Sequence, residues 1–174
     1  MILIAAADRN WGIGKDGGLL AHIPEDMKFF AAQTTGQVIV MGRKTLESFP
    51  GGKPLKNRVN IVITHDREYD GKGAVVVHSA RELEEETGNY PGRRIYVAGG
   101  GTIYRMLLPL CSRALITRIE HQFDADTFMP DLDREEGWIL EKEGDEKEYG
   151  EFRYHFDSYV NQAAGQGKEQ ERKR

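Results

Sequence analysis

Short runs rich in branched aliphatic residues punctuate most of the chain: ILIAAAD (2–8), QVIVMG (37–42), RVNIVIT (58–64), AVVVH (74–78), RIYVAG (94–99) and RALITRIE (113–120). Their near-continuous apolar character predicts strands buried on both faces. Helical candidates lie between them. Pro24 stands where a first helical turn tolerates it, Glu25 and Asp26 follow near the positive end of the helix dipole, and EDMKFFAAQT carries the helix onward. Ser79 reads as the N-cap of ARELEEETG, with Glu82 completing a capping box and Gly88 stopping the helix. KTLES (44–48) and the segment from Gly101 to Leu108, ended by Pro109, supply the other helices. Such alternation predicts a largely parallel sheet with crossover helices. Nearer the C-terminus, WILEKEGDEKEYGEFRYHFDSYV reads as two strands joined by a long acidic turn, which adds an antiparallel hairpin at the sheet edge. The end of the chain, AAGQGKEQERKR, lacks apolar periodicity, so the domain is expected to span residues 1–160 and residues 161–174 to form a disordered charged tail.

Composition narrows the class. A chain of 174 residues, 39% hydrophobic and 30% charged, fits one domain, and one that buries about 70% of its unfolded surface. The formal charge of -4, from 24 basic and 28 acidic residues without a long basic run, argues against nucleic acid as a partner. Cys111 is the only cysteine, so no internal disulfide forms; with no signal-like N-terminal segment, a cytoplasmic location is expected. No apolar run approaches the roughly 20 residues of a membrane-spanning helix.

Candidate chemistry begins at GIGKDG (12–17), which spells the G-x-G-x-x-G dinucleotide fingerprint after the first strand. A Rossmann loop must pass directly into a helix whose amides receive the pyrophosphate, whereas here GLLAHI intervenes before Pro24. A flexible surface loop, or a mobile lid with Leu19 and Leu20 as apolar contacts, remains. RRIYVAGGGTIYRML offers a better context, an apolar strand running into Gly99, Gly100 and Gly101 with a helix starting at once. The triplet equally describes a phosphate cradle and a tight turn with no ligand. In VIVMGRKTLES, Gly42 is followed by Arg43, Lys44 and Thr45 at a helix start, residue types that suit phosphate oxygens. Two such turns point to a dinucleotide more strongly than either alone. Asp26 shares an arc of its helix with Met27 and Phe30, and a carboxylate on an apolar face should be held above its ordinary pKa by desolvation. Spacing alone favours the plainer reading of an acid that complements the helix N-terminus at a wet edge.

The segments GIGKDGGL, IPEDMKFF, VIVMGRKTLES, PLKNRVNIVIT, IYVAGGGTIY and DADTFMP occur in the order and with the spacings of the dihydrofolate reductases. The chain resembles that family, in its bacterial chromosomal type, over residues 1–160. The resemblance implies a single α/β domain with a mostly parallel eight-stranded sheet, an antiparallel C-terminal edge hairpin and about four flanking helices. It also implies NADPH-dependent reduction of 7,8-dihydrofolate to tetrahydrofolate, with protonation at N5, in one-carbon metabolism. The expected state is a monomer that binds the small-molecule substrate and antifolate inhibitors but neither nucleic acid nor membrane. The pterin rests on the resemblance alone.

Carried over by position, Asp26 matches the acid that binds the pterin 2-amino group and N3 and promotes protonation at N5, and Thr117 the hydroxyl that bonds it. Ile4, Ala5, Met27, Phe30, Phe49 and Leu55 match the walls of the substrate site, and Arg58 the clamp on the α-carboxylate of the glutamate tail. Ala6, Ile13, Gly14, Leu19, Gly42, Arg43, Lys44, Thr45, Ile63, Thr64 and His65 match cofactor contacts, as do Ala98, Gly99, Gly100, Gly101, Thr102, Ile103 and Tyr104. Arg43 and His65 are the candidates for the 2′-phosphate. No metal is implied, and Cys111 reads as a spectator. Two places in the chain depart from the family pattern. Leu20-Ala21 stands where relatives usually carry Pro-Trp, leaving room that His22 is a candidate to fill, and Thr102 stands where an arginine is common. Two rival functions are a same-fold reductase of a ribosylaminopyrimidine and a non-catalytic cofactor-binding module. PEDMKFF and PLKNR argue against the first, and intact Asp26, Thr117 and Arg58 against the second.

Overall fold

Strands buried on both faces dictate the architecture. The computed structural model describes residues 1–165. In chain order the elements are β1 (Ile2–Ala7), β2 (Gly12–Lys15), β3 (Gly18–Leu19), α1 (Pro24–Thr34), β4 (Val38–Gly42), α2 (Arg43–Ser48), β5 (Val59–Ile63) and β6 (Val75–Val77). There follow α3 (Ala80–Thr87), β7 (Ile95–Val97), α4 (Gly101–Leu107), β8 (Arg113–Ile119), β9 (Thr127–Phe128), β10 (Trp138–Lys142), β11 (Lys147–Tyr149) and β12 (Phe152–Asn161). The main sheet runs β10-β12-β8-β1-β7-β4-β5-β6, with β11 hydrogen-bonded to β12. From β8 to β6 every neighbouring pair is parallel, and only β12 and its partners are antiparallel. The parallel sheet and its antiparallel edge are those expected from the alternation of segments.

Alternate residues of each central strand feed separate cores. Leu3, Val38, Val40, Ile61, Ile63, Val97, Ala114 and Ile116 pack with Leu83 of α3 and with Ile103, Tyr104 and Leu107 of α4. Ile4, Ile39, Met41, Val62 and Tyr96 face the other way, against Phe29 and Phe30 of α1 and Leu46 of α2. The period-2 pleat thus separates two covered faces, which is why the runs look uniformly apolar in sequence. Ser79 caps α3 by accepting the Glu82 amide at 3.1 Å. The Glu82 carboxylate reaches the His78 amide, one residue earlier than a capping box requires, at 2.7 Å.

The acidic segment expected as a turn contains β11, which folds back on β12 in the register Lys147↔Tyr154 to Tyr149↔Phe152. Gly144 permits the approach, since a Cβ there would meet the Phe156 carbonyl oxygen at 2.3 Å. β12 extends through Asn161, whose side-chain amide donates to the Cys111 carbonyl at 3.1 Å, and a single turn follows at Ala163–Gly165. Of the expected charged tail, residues 166–174 lie outside the described residues. Among the described residues, no helix is long and apolar enough to cross a membrane.

The antiparallel edge is fastened by His155. Its Nδ1 lies 2.7 Å from Asp157 and its Nε2 3.0 Å from Glu120, which also accepts from Arg9. Burial opposes the charge on the ring, but the paired carboxylates raise its pKa above the usual 6.5. A raised folded-state pKa gives stability that is complete below the unfolded value and is lost as pH rises through the folded one. His155→Gln should therefore cost about 1–3 kcal/mol at pH 6, with the deficit shrinking towards pH 9; urea unfolding of both proteins at each pH checks this.

Candidate active site

The parallel strands β1, β7, β4 and β5 end along one edge, the place where open α/β sheets bind ligands. Two glycine turns meet there. The Gly42 amide donates to Gly99 O at 2.8 Å, and the Ala98 amide to Val40 O at 2.8 Å. Gly99 adopts φ +116 and is joined to Gly100 by a cis peptide bond. Gly101 lies against β9, where a Cβ would sit 2.3 Å from Phe128 O, and a Cβ on Gly42 would lie 3.0 Å from Ile103. Only Gly100 has ordinary room, with Thr45 Oγ1 at 3.5 Å from the position a Cβ would take. Glycine is thus required at Gly99 by backbone conformation and at Gly101 by packing, and open space remains at Gly100 beside Thr45. Arg43, Lys44, His65 and Thr102 are exposed around it, while Thr64 is half-buried. Arg43 shares its guanidinium with Glu47 at 3.5 Å and lies 6.0 Å from the Tyr69 ring centre. Ile63, Ile103 and Tyr104 are buried beneath, and the Tyr104 hydroxyl donates to Ile4 O at 2.7 Å, tying α4 to β1.

On the opposite side of β1, the register sets Ala6 beside Thr117 of β8, and Thr117 beside Phe156 of β12. α1 crosses this row. The buried Thr117 hydroxyl donates to the half-buried Asp26 carboxylate at 2.6 Å. Desolvation pushes the Asp26 pKa upward, and the Thr117 hydrogen bond only partly opposes it. No ion pair to Asp26 exists among the described residues. Ala5 is half-buried, and the apolar wall continues through Ile4, Phe30, Phe49, Leu55 and Ala98. Met27 is 48% exposed, so it borders the opening rather than the core. Arg58 is anchored to the end of α1, with Nε donating to Thr34 at 2.8 Å and Nη1 to Lys56 O at 2.7 Å. Its remaining amine has no recorded protein partner among the described residues. The loop bearing Leu55 and Arg58 is pinned by buried Asn60, which exchanges hydrogen bonds with both Leu55 backbone groups at 2.9 and 2.8 Å.

The GIGKDG segment is a β-ribbon. β2 pairs with β3 and β9 in a separate sheet, and Gly14 approaches so closely that a Cβ would meet Gly18 O at 2.8 Å. Gly17 turns at φ +77. Ile13 is half-buried and Leu19 is 52% exposed. Asp126 holds the ribbon by accepting the Asp16 amide at 2.8 Å, its own amide donates to Gly14 O at 3.1 Å, and Lys15 pairs with Asp124. His22 is exposed and does not fill the room beside Ala21, which packs on a cluster containing Ile23, Ile119, Tyr154, Phe123, Phe152 and Phe156. Sequence reasoning gave no role to Asp126 as a ribbon anchor, to Asn60 as a loop pin, or to Asp8, whose buried carboxylate accepts the Asn10, Gly12 and Phe123 amides. A lone acid beside glycines was the available signal at Asp8. Asp126→Ala should raise the exchange rate of the Asp16 amide about tenfold or more through loss of a charge-assisted bond, measurable by NMR.

Similarity to known proteins extends over nearly the whole chain. The family description "Dihydrofolate reductase" matches residues 1–161. The chain is 37% identical to the dihydrofolate reductase of Bacillus subtilis (strain 168) over 158 residues, covering 90% of this chain and 91% of that protein. It is 40% identical to that of Neisseria meningitidis serogroup A over 133 residues, covering 76% and 80% respectively. A solved structure of dihydrofolate reductase from Enterococcus faecalis, complexed with NADP(H) and RAB-propyl, superposes with a TM-score of 0.82 at 32% identity, covering 91% of this chain and 94% of that one.

Proposed function

The chain belongs to the dihydrofolate reductase family, and from that premise we infer how its cleft works. The protein reduces 7,8-dihydrofolate to 5,6,7,8-tetrahydrofolate with NADPH. The observation that carries the residue assignment is the 2.6 Å bond from Thr117 to an Asp26 carboxyl that has desolvation but no cation to set its protonation. Asp26 binds the pterin 2-amino group and N3 and promotes protonation at N5, as a carboxyl above its ordinary pKa is suited to do. Thr117 orients it. Ile4, Ala5, Met27, Phe30, Phe49 and Leu55 wall the pterin and aminobenzoyl rings, and Arg58 clamps the α-carboxylate with the amine that Thr34 and Lys56 leave free.

The residues at the strand edge fit NADPH. Gly100 leaves open backbone, Thr45 offers a hydroxyl, and Arg43, Lys44 and His65 supply exposed donors around it. When bound, NADPH supplies the hydride. The ribbon from Gly12 to Leu19 covers the reacting rings and excludes water, and Ala21 leaves that cover shorter of bulk than Trp would. A monomeric, cytoplasmic enzyme with a domain of residues 1–160 belongs to the same reading, and Asp26, Thr117, Arg58 and both glycine turns all lie within that domain. Antifolates would occupy the same cleft.

Following NADPH absorbance with dihydrofolate tests the reading. Asp26→Asn should lower kcat on the order of 100-fold or more; unchanged turnover would overturn the role. The same substitution should stabilise the fold at neutral pH. Because folding raises the Asp26 pKa, the stability tied to this group is complete below 3.8 and lost as pH rises through the folded value, a loss asparagine does not suffer. Urea midpoints should therefore favour the variant at pH 8 and converge in acid. Cofactor choice gives a further expectation. With Thr102 in place of an arginine, preference for NADPH rests on Arg43 and His65, so Arg43→Ala should lower kcat/KM for NADPH about tenfold while changing that for NADH little.

A further inference from the structure

The first turn of α1 carries two adjacent acids with opposite fates. Asp26 faces the cleft and receives a neutral hydroxyl, whereas both oxygens of Glu25 are occupied from the antiparallel edge. Lys147 of β11 pairs with Oε1 at 2.9 Å, and the Tyr154 hydroxyl of β12 donates to Oε2 at 2.6 Å. Lys147 and Tyr154 are cross-strand partners, so the two contacts arrive side by side. Tyr154 is fixed beneath them: its ring is 1% exposed and packs at 5.7 Å on Phe156. In the register of β8 with β12, Ile119 lies opposite Tyr154 and Thr117 opposite Phe156. The bonds Thr117 to Asp26 and Tyr154 to Glu25 are thus neighbouring struts from one strand pair to one helical turn.

We propose that Lys147 and Tyr154 are positioning residues for the reductase reaction, acting through Glu25: they clamp the first turn of α1 and neutralise its outer carboxylate, so that Glu25 adds no uncompensated negative charge beside Asp26. The inference rests on Asp26 as the acid of the reaction. The charged and titratable groups around the pair are Lys28 on the same helix, Lys147 on β11, Tyr154 on β12 and Tyr104 on α4. Hydrogen bonds from Tyr154 and Lys147 hold the Glu25 carboxyl below its usual range, which favours its charged form. Removing the Lys147 cation leaves that negative charge uncompensated beside Asp26 and makes ionisation of Asp26 harder. Lys147 and Glu25 are 39% and 50% exposed, so solvent screens the effect and it should be larger at low salt.

The test is the titration of the Asp26 carboxyl carbon by NMR in the full chain, alongside the pH profile of kcat. Lys147→Met should move the Asp26 midpoint up by roughly half a pH unit at low salt, and carry the high-pH limb of kcat with it. Lys147→Arg should leave both where they are, and Glu25→Gln added to Lys147→Met should return both towards the parent. Tyr154→Phe should lower kcat several-fold with a smaller change in KM. Equal midpoints for the parent and Lys147→Met, or a shift that Glu25→Gln does not reverse, would overturn the proposal. The NMR midpoint is read without substrate, so absence of turnover in the parent would sink the functional reading and leave the charge coupling to be judged by its own result.

Discussion

A half-buried carboxyl held by a neutral donor is the constraint around which this molecule is arranged. Removing an acid from water disfavours its charge, and a cation placed against it would restore the charge and depress its pKa. Among the described residues the only direct side-chain partner of Asp26 is the Thr117 hydroxyl at 2.6 Å, so the proton affinity of the site is set by desolvation and geometry. Thr117 can serve because β8 is flanked by β1 on one side and β12 on the other, which leaves the residue 1% exposed and its hydroxyl one direction to point. The acid's setting is therefore a property of three strands and a helix.

The same sheet places the edge that we propose for the cofactor. Parallel pairing sends β1, β4, β5 and β7 to a common end, and the Gly42-to-Gly99 hydrogen bond continues the β4–β7 ladder just beyond the strands. Two turns from distant parts of the sequence are thereby held in contact. Tyr104 joins this edge to the acid's side by bonding the Ile4 carbonyl through the sheet, where burial and the nearby Asp26 charge keep its phenol firmly protonated. Cys111 behaves similarly, its thiol pushed up to about 11 by burial, and it stays an unreactive part of the core.

Much of the fold was legible because buried parallel strands are nearly uniform in hydrophobicity and short enough to stand out. ILIAAAD, VIVMG and VNIVI each became a strand at about the expected limits. What failed to show was local structure made by contact instead of composition. KEY (147–149) is polar and reads as turn, yet it is a strand because β12 offers an open edge and Gly144 lets the chain reach it. GIGKDG reads as a loop because glycines lack strand propensity, yet Gly12 and Gly14 are required by side chains and backbone packed where a Cβ would stand. Asp26 stood out in sequence by the helical arc it shares with Met27 and Phe30, but its pairing with Thr117 came only from the order of family motifs, since no spacing rule links residues 91 apart. Nothing in the sequence set Lys147 and Tyr154 against Glu25, because that meeting depends on the expected acidic turn folding back on β12 as β11.

The glycine triplet shows why such motifs mislead when they are read as ligand sites. A phosphate cradle and a tight turn predict the same letters, and in AGGGT the three glycines answer to three different constraints. Gly99 answers to a positive φ, Gly101 to the Phe128 carbonyl, and Gly100 alone keeps open space beside Thr45. The packing of Gly101 against β9 has a further consequence, because β9 also pairs with β2 of the ribbon. The backbone that begins α4 and the backbone of the β2–β3 ribbon thus share Phe128 and Thr127 as a common support. Displacement of β9 must then disturb both, so the ribbon's position and the shape of the strand edge at Gly99 to Gly101 form one mechanical unit.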